Sequence, residues 1–142
     1  MRSAVDTNMI SAIWTQQPHH IEAKTILGRA LDSGGLVISG IVYAELLAHP
    51  LMDSRTLEGF LTQTRIEVDD AMNRAIWREA GDRFRRYADR RKKAGANPHR
   101  RLVADFVIGA HALMNADRLI TFNGADFRLD FPELPIVPDP VQ

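Results

Sequence analysis

The chain has 142 residues, 45% hydrophobic and 25% charged, with 18 Lys and Arg balanced by 18 Asp and Glu and no cysteine. That length suits one domain with a proper core and is short for two. The lack of cysteine excludes disulfides, thiol catalysis and thiolate zinc sites; no apolar run is long enough to span a membrane, and Met1-Arg2-Ser3 leads into a strand without a signal-peptide pattern, so a cytoplasmic protein is expected.

Residues 2–6 read as a strand that ends at an acid, Asp6. Thr7 or Asn8 can cap a short helix over 9–16, which stops before Pro18. A helix over 19–32 carries Ala23, Ile26, Leu27, Ala30 and Leu31 at the 3.6-residue period and ends at Gly34-Gly35. Leu36-Val37-Ile38 is a short buried strand. Ser39 caps the next helix, which holds Tyr43-Ala44-Glu45-Leu46-Leu47 and closes at Pro50. Asp53 or Ser54 opens a helix to about Thr64, with Leu57, Phe60 and Leu61 inward, and 65–68 alternates as a strand. The helix over 70–93 has an apolar stripe of Met72, Ile76, Ala80, Phe84 and Tyr87/Ala88, with its arginines on the other faces. Gly95-Ala96-Asn97-Pro98 breaks the chain. An apolar helix over 102–115 then bears Asp105 in its first turn. Leu119-Ile120-Thr121 is a strand, 123–126 a polar loop, and 132–142 an extended tail punctuated by four prolines. This alternation predicts a single α/β domain over 1–142, a sandwich with a mostly parallel sheet flanked by helices.

Sites in open parallel sheets lie at the carboxyl ends of the strands. Asp6 ends the first strand, Glu45 lies in the helix after the second, and Asp105 opens the helix before the last core strand. An acid among Val, Phe and Ile loses hydration at a cost. A helix N-terminus offsets part of that cost, so Asp105 also reads as an ordinary dipole-complementing residue. Several acids brought together raise one another's pKa, and a hard divalent cation relieves the repulsion. The donors are all oxygen, with no Cys and no His-x-x-x-His pair, which suits Mg²⁺ or Mn²⁺ rather than zinc. Magnesium held by a few carboxylates and a substrate phosphate leads to phosphoester hydrolysis.

Four motifs, in order, are Asp6-Thr7-Asn8 after a hydrophobic strand, Tyr43-Ala44-Glu45-Leu46-Leu47, Ala104-Asp105-Phe106-Val107-Ile108-Gly109-Ala110-His111-Ala112, and Leu119-Ile120-Thr121-Phe122-Asn123 with Asp126-Phe127. Together they resemble the PIN-domain ribonucleases and, more narrowly, their VapC-type toxins, over residues 4–132. The resemblance implies a PIN-like three-layer sandwich and a Mg²⁺-dependent endoribonuclease, with Mn²⁺ able to substitute, acting as the toxin of a VapBC-type toxin–antitoxin module. It implies that Asp6, Glu45 and Asp105 bind the metal and are catalytic, that Thr7 and Asn8 shape the metal loop, and that Thr121 supports the site by hydrogen bonding. Many members carry a fourth acid where this chain has Asn123. Either Asn123 contributes a neutral oxygen or Asp126 reaches the pocket through water, and one metal ion is assigned. In the expected mechanism the metal sits at Asp6 and Asp105, and Glu45 or another of the acids orients and deprotonates water, leaving a 5′-phosphate and a 3′-hydroxyl. A cognate antitoxin laying its C-terminal segment across the active-site groove, and a homodimer, are implied as well.

Between residues 83 and 101 nine cations face a single acid, Asp89. A generic basic run reads as a solvated helix end. Beside the PIN resemblance it reads equally as an RNA-guiding surface made of Arg83, Arg86, Arg90, Lys93, Arg100 and Arg101, or as a dock for an acidic partner peptide. His111 points about 120° away from Asp105 on an ideal helix, so it is expected to pack or lie at the surface. His19 and His20 read as surface residues, His49 and His99 flank prolines, and Trp14 and Trp77 read as core or interface. Two other functions fit less well. A catalytically silent PIN fold that binds RNA or protein has no reason to crowd three acids. An aspartyl-nucleophile phosphohydrolase needs Asp-x-Asp, and here the third position is Asn8. Which RNA is cut is not written in any motif, because recognition of RNA depends on shape and loop context.

Overall fold

A computed structural model of the chain describes residues 1–95 and 102–140. His99, Arg100 and Arg101 and most of the break expected at 95–98 lie outside the described residues. Among the described residues, β1 (Arg2–Val5), β2 (Gly35–Ser39), β3 (Ile66–Asp69), β4 (Arg118–Ile120) and β5 (Ile136–Val137) form one sheet in the order β3-β2-β1-β4-β5. Every pairing is parallel, so the sheet expected to be mostly parallel is parallel throughout. Ala4, Val5, Val37, Ile38, Leu119 and Ile120 are buried in it. Near-continuous apolar strands are what a parallel sheet covered on both faces requires.

The helices are α1 (Thr7–Trp14), α2 (His20–Ser33), α3 (Gly40–Leu47), α4 (Ser54–Thr64), α5 (Arg74–Lys93), α6 (Val103–Asn115) and α7 (Gly124–Asp130). Two expected caps are in place: Ser39 accepts from the Val42 N–H at 3.3 Å, and Asp53 accepts from Thr56 at 2.7 Å. Such caps satisfy backbone donors that a first turn leaves over. Two helix starts differ from the sequence reading. α1 opens at Thr7 with Asp6 itself as cap, and α5 opens at Arg74 rather than at residue 70, where the Asn73 side chain accepts from the Ile76 N–H at 3.2 Å. No described helix is long and apolar enough to cross a membrane.

Two elements lie where only a loop and a tail are expected. The polar stretch 123–126 is the start of α7, and the proline-punctuated tail contains β5. β5 fits between Pro135 and Pro138 because it occupies the sheet edge, where a missing N–H is tolerated. Its contribution there is carbonyls: Pro135 accepts from Leu119 N and Val137 from Thr121 N, both at 2.9 Å. The C-terminal segment also supports α6, since a Cβ on Gly109 would lie 2.3 Å from the Phe131 ring. Only glycine lets that helix, which carries Asp105, come so close.

Candidate active site

The site grows from the seam between β1 and β4. The Asp6 N–H donates to the Ile120 carbonyl at 3.0 Å, which fixes the residue where both strands end. Its extended backbone leaves the carboxylate free to cap α1, and Oδ1 accepts from the Thr7 N–H at 2.7 Å. Oδ2 accepts from the Thr121 hydroxyl at 2.7 Å. That hydroxyl oxygen accepts in turn from Asn8 Nδ2 at 3.3 Å and from the Asn123 N–H at 3.0 Å. Asn8 Oδ1 takes the Phe122 N–H at 3.2 Å, so the loops after β1 and β4 are sewn together. The Thr7 hydroxyl donates to Glu45 Oε1 at 2.8 Å and draws α3 toward α1. Asp105 is half-buried in the first turn of α6.

Asp6 is only 5% exposed. Burial pushes its carboxyl up to about 6; the hydrogen bonds from Thr121 and Thr7 work against that rise, and repulsion from Asp105 and Glu45 adds to it. All three sequence-predicted acids, with Thr7, Asn8 and Thr121, therefore share one electrostatic neighbourhood. They are neighbours rather than a closed cage: among the described residues no three His, Cys, Asp or Glu side chains stand close enough to grip an ion together. The donor chemistry fits a hard divalent cation. Its atoms are carboxylate and hydroxyl oxygens, and the buried acid faces like charges. Magnesium keeps several waters and takes only one or two carboxylates directly, so Asp6 and Asp105 are the pair that could hold such an ion. Asn123 contributes its backbone N–H, with its side chain exposed, and Asp126 lies exposed in the first turn of α7.

The basic face differs from the one expected. Arg83 is 6% exposed and lies on the inner face of α5 with Ile76, Ala80 and Tyr87. It donates to Glu79 at 2.7 Å, to both oxygens of Glu133 at 2.6 and 2.8 Å, and to the Asp130 carbonyl at 2.8 Å, and it stacks over Phe131. Hydrogen bonding to Glu133 holds the guanidinium charged and Glu133 down at about 2. Arg83 therefore pins the C-terminal segment and is withdrawn from any RNA surface. The sequence did carry a signal, because 76, 80, 83 and 87 recur at helical spacing on one face. Arg90 pairs with Asp130, while Arg86 and Lys93 are exposed.

His111, expected to pack or lie at the surface, packs inside, with Nε2 2.9 Å from Asp69 Oδ2. Trp14 lies partly buried against His49 and Phe60, and Trp77 is exposed. Phe122 was legible only as a letter of a motif, yet its backbone is part of the loop that supports Thr121.

The sequence model of the PIN domain matches residues 4–131. A search of the curated proteins found no match. Among solved structures the chain is similar to VapBC2 from Rickettsia felis bound to a DNA fragment from their promoter, with TM-score 0.65 and 21% identity over 96% of this chain and 97% of that one. It is similar to VapBC-1 from nontypeable Haemophilus influenzae, with TM-score 0.65 and 26% identity over 96% of both chains. It is also similar to FitAcB from Neisseria gonorrhoeae, with TM-score 0.60 and 23% identity over 94% and 95% of the two chains.

Proposed function

The chain belongs to the PIN-domain family, and from that premise we propose that it is a Mg²⁺-dependent endoribonuclease, the toxin of a VapBC-type toxin–antitoxin module acting in the cytoplasm. The observation that carries the reading is the buried Asp6 carboxylate, held in place by Thr7 and Thr121 yet facing Asp105 and Glu45 rather than a cation. A structural acid is given a counter-charge by its own chain, and among the described residues no cation pairs with Asp6.

Asp6 and Asp105 hold the metal. Bound there, such an ion supplies Lewis acidity toward a phosphate oxygen and acidifies water. Glu45, at the exposed rim and oriented by the Thr7 hydroxyl, accepts the proton of the attacking water. Thr121 and Asn8 keep Asp6 aimed while charge builds on the phosphate, and such preorganisation avoids reorganisation during the reaction. In-line attack joins the water oxygen to phosphorus and breaks the P–O3′ bond, leaving a 5′-phosphate, and the departing O3′ takes a proton from solvent to become the 3′-hydroxyl. Exposed Arg86 and Lys93 guide the polyanion. Likeness to VapBC structures supports a cognate antitoxin as partner, and the toxin is proposed to work as a homodimer.

The test is cleavage of single-stranded RNA by purified protein, with magnesium or with EDTA, for wild type and Asp105→Asn. Magnesium-dependent cleavage by wild type, lost in the variant at unchanged far-UV circular dichroism, is the expected result. Equal turnover by Asp105→Asn would sink the assignment. The open arrangement of the acids favours one rival, a silent RNA- or protein-binding scaffold. Calorimetry that finds no magnesium binding, together with no cleavage, would establish the rival instead.

A further inference from the structure

Beside the carboxylates lies a cleft of about 450 Å³ that the proposed chemistry leaves unused. Its lining includes His19, Thr121, Phe122, Gly124, Arg128 and Pro138. The volume falls in the range of sites that enclose small planar ligands. Thr121 belongs to both places: its hydroxyl bonds Asp6 while its residue forms the near wall of the cleft. Whatever fills the cleft therefore touches a residue that hydrogen-bonds Asp6.

The walls suit a flat aromatic guest. Phe122 is half-buried, and its ring centroid lies 5.4 Å from that of His19 at an interplanar angle of 43°. The Phe122 backbone is anchored through Asn8, so the ring is carried by the same loop that aims Asp6. His19, just before α2, makes no capping hydrogen bond with its side chain, and Nδ1 of its exposed ring lies 3.4 Å from Glu22 Oε2. Arg128 closes the far side. Its Nη2 donates to the carbonyls of Pro138 at 2.7 Å and Ile136 at 3.4 Å. A Cβ on Gly124 would lie 2.5 Å from Nη1, so the glycine lets the guanidinium settle over the loop. A planar, charged donor and two aromatic faces in one concavity are the groups with which proteins take unstacked bases.

Resting on the ribonuclease reading above, we propose that this cleft receives an unpaired nucleobase of the RNA next to the scissile phosphate, stacked on Phe122 and His19 and met at its edge by Arg128. The pocket selects for a splayed single-stranded nucleotide, because a base paired in a helix cannot enter. Phe122, His19 and Arg128 are then specificity residues: they position RNA and touch none of the reacting atoms.

The experiment uses the full chain carrying Asp105→Asn, in EDTA, so that binding is read without cleavage. Fluorescence anisotropy follows short single-stranded oligoribonucleotides, each with an abasic site moved one position along. In this background one abasic position is expected to weaken binding roughly 5- to 100-fold, the range for losing one base–aromatic stack. Adding Phe122→Ala should weaken the intact oligonucleotide by a similar factor and erase the penalty at that position, while Phe122→Trp should keep it. His19→Ala alters an exposed side chain and repeats the test should Phe122→Ala unfold. An abasic penalty of equal size with and without the aromatic rings would overturn the pocket while leaving the nuclease intact. If wild type with magnesium also fails to cleave RNA, both readings fall. Binding of the intact and abasic strands with equal affinity at every position overturns the pocket as well, and leaves the cleft to a protein partner.

Discussion

Asp6 and Asp69 stand at the carboxyl edge of one parallel sheet, and the protein treats them in opposite ways. Burial acts to raise the Asp69 carboxyl, but donors from the Ala71 N–H at 2.8 Å, Asn115 at 2.9 Å and His111 at 2.9 Å outweigh it and hold the group at about 2. Arg2 adds a cation 3.6 Å away. Asp6 also accepts two hydrogen bonds, yet burial and two acidic neighbours carry it to about 6. An acid retained for stability is ringed by donors. An acid whose burial outweighs its hydrogen bonds, with further acids nearby, is destabilised in its charged form, and such a perturbed group marks a candidate functional position.

The largest break in this comparison is catalytic. Asp6→Asn is expected to lower magnesium-dependent RNA cleavage by at least about a hundredfold, whereas Asp69→Asn should leave turnover per folded molecule unchanged; single-turnover assays normalised to folded protein check both. Next comes stability. Asp69→Ala leaves the buried His111 without its acceptor and Asn115 with only the longer bond to the Ala71 carbonyl, and should cost about 1–3 kcal/mol in urea unfolding. Asp6→Asn in metal-free buffer at pH 8 should instead be close to neutral, because relief of the buried charge that the shift from 3.8 to about 6 measures offsets the amide donor now set against Thr121 or Thr7.

A finer contrast lies in pH. Folded Asp6 binds its proton more tightly than the unfolded chain does, so metal-free protein should lose stability as pH rises from the ordinary 3.8 through about 6. Millimolar magnesium should flatten that decline. Asp69 binds its proton less tightly when folded, and the stability it contributes should vanish as pH falls from 3.8 toward about 2. Burial likewise lowers the His111 pKa below its usual 6.5, which adds to the acid side of the loss. Thermal melts from pH 3 to 8, with and without magnesium, read all three; a magnesium-insensitive alkaline limb would show that Asp6 meets no cation.

Much of this was legible in the sequence, and the failures have physical causes. The apolar strands and the caps at Ser39 and Asp53 are local signals, and local signals specify those elements. β5 was illegible because an edge strand that offers carbonyls on either side of prolines has no residue pattern of its own. The helix α7 hid behind Asn123-Gly124, which reads as a turn. Arg83 was misjudged because charge was weighed above position: its side chain follows Ala80 by three residues on a buried face, and its partner Glu133 lies 50 residues away. The same limit applied to Asp6. Sequence marked it as a candidate ligand, but that it rests on Thr121 depends on a contact across 115 residues.

Thr121 shows what such contacts impose. A hydroxyl has one proton and two lone pairs. Here the lone pairs face Asn8 and the Asn123 N–H, and the proton goes to Asp6. Protonating Asp6 on Oδ2 would set two hydrogens head to head, and with both lone pairs engaged the hydroxyl could not simply rotate out of the way. The loop beyond β4, with Phe122 on it, would have to yield. One threonine thus ties the shape of the loop after β4 to the charge on a single oxygen.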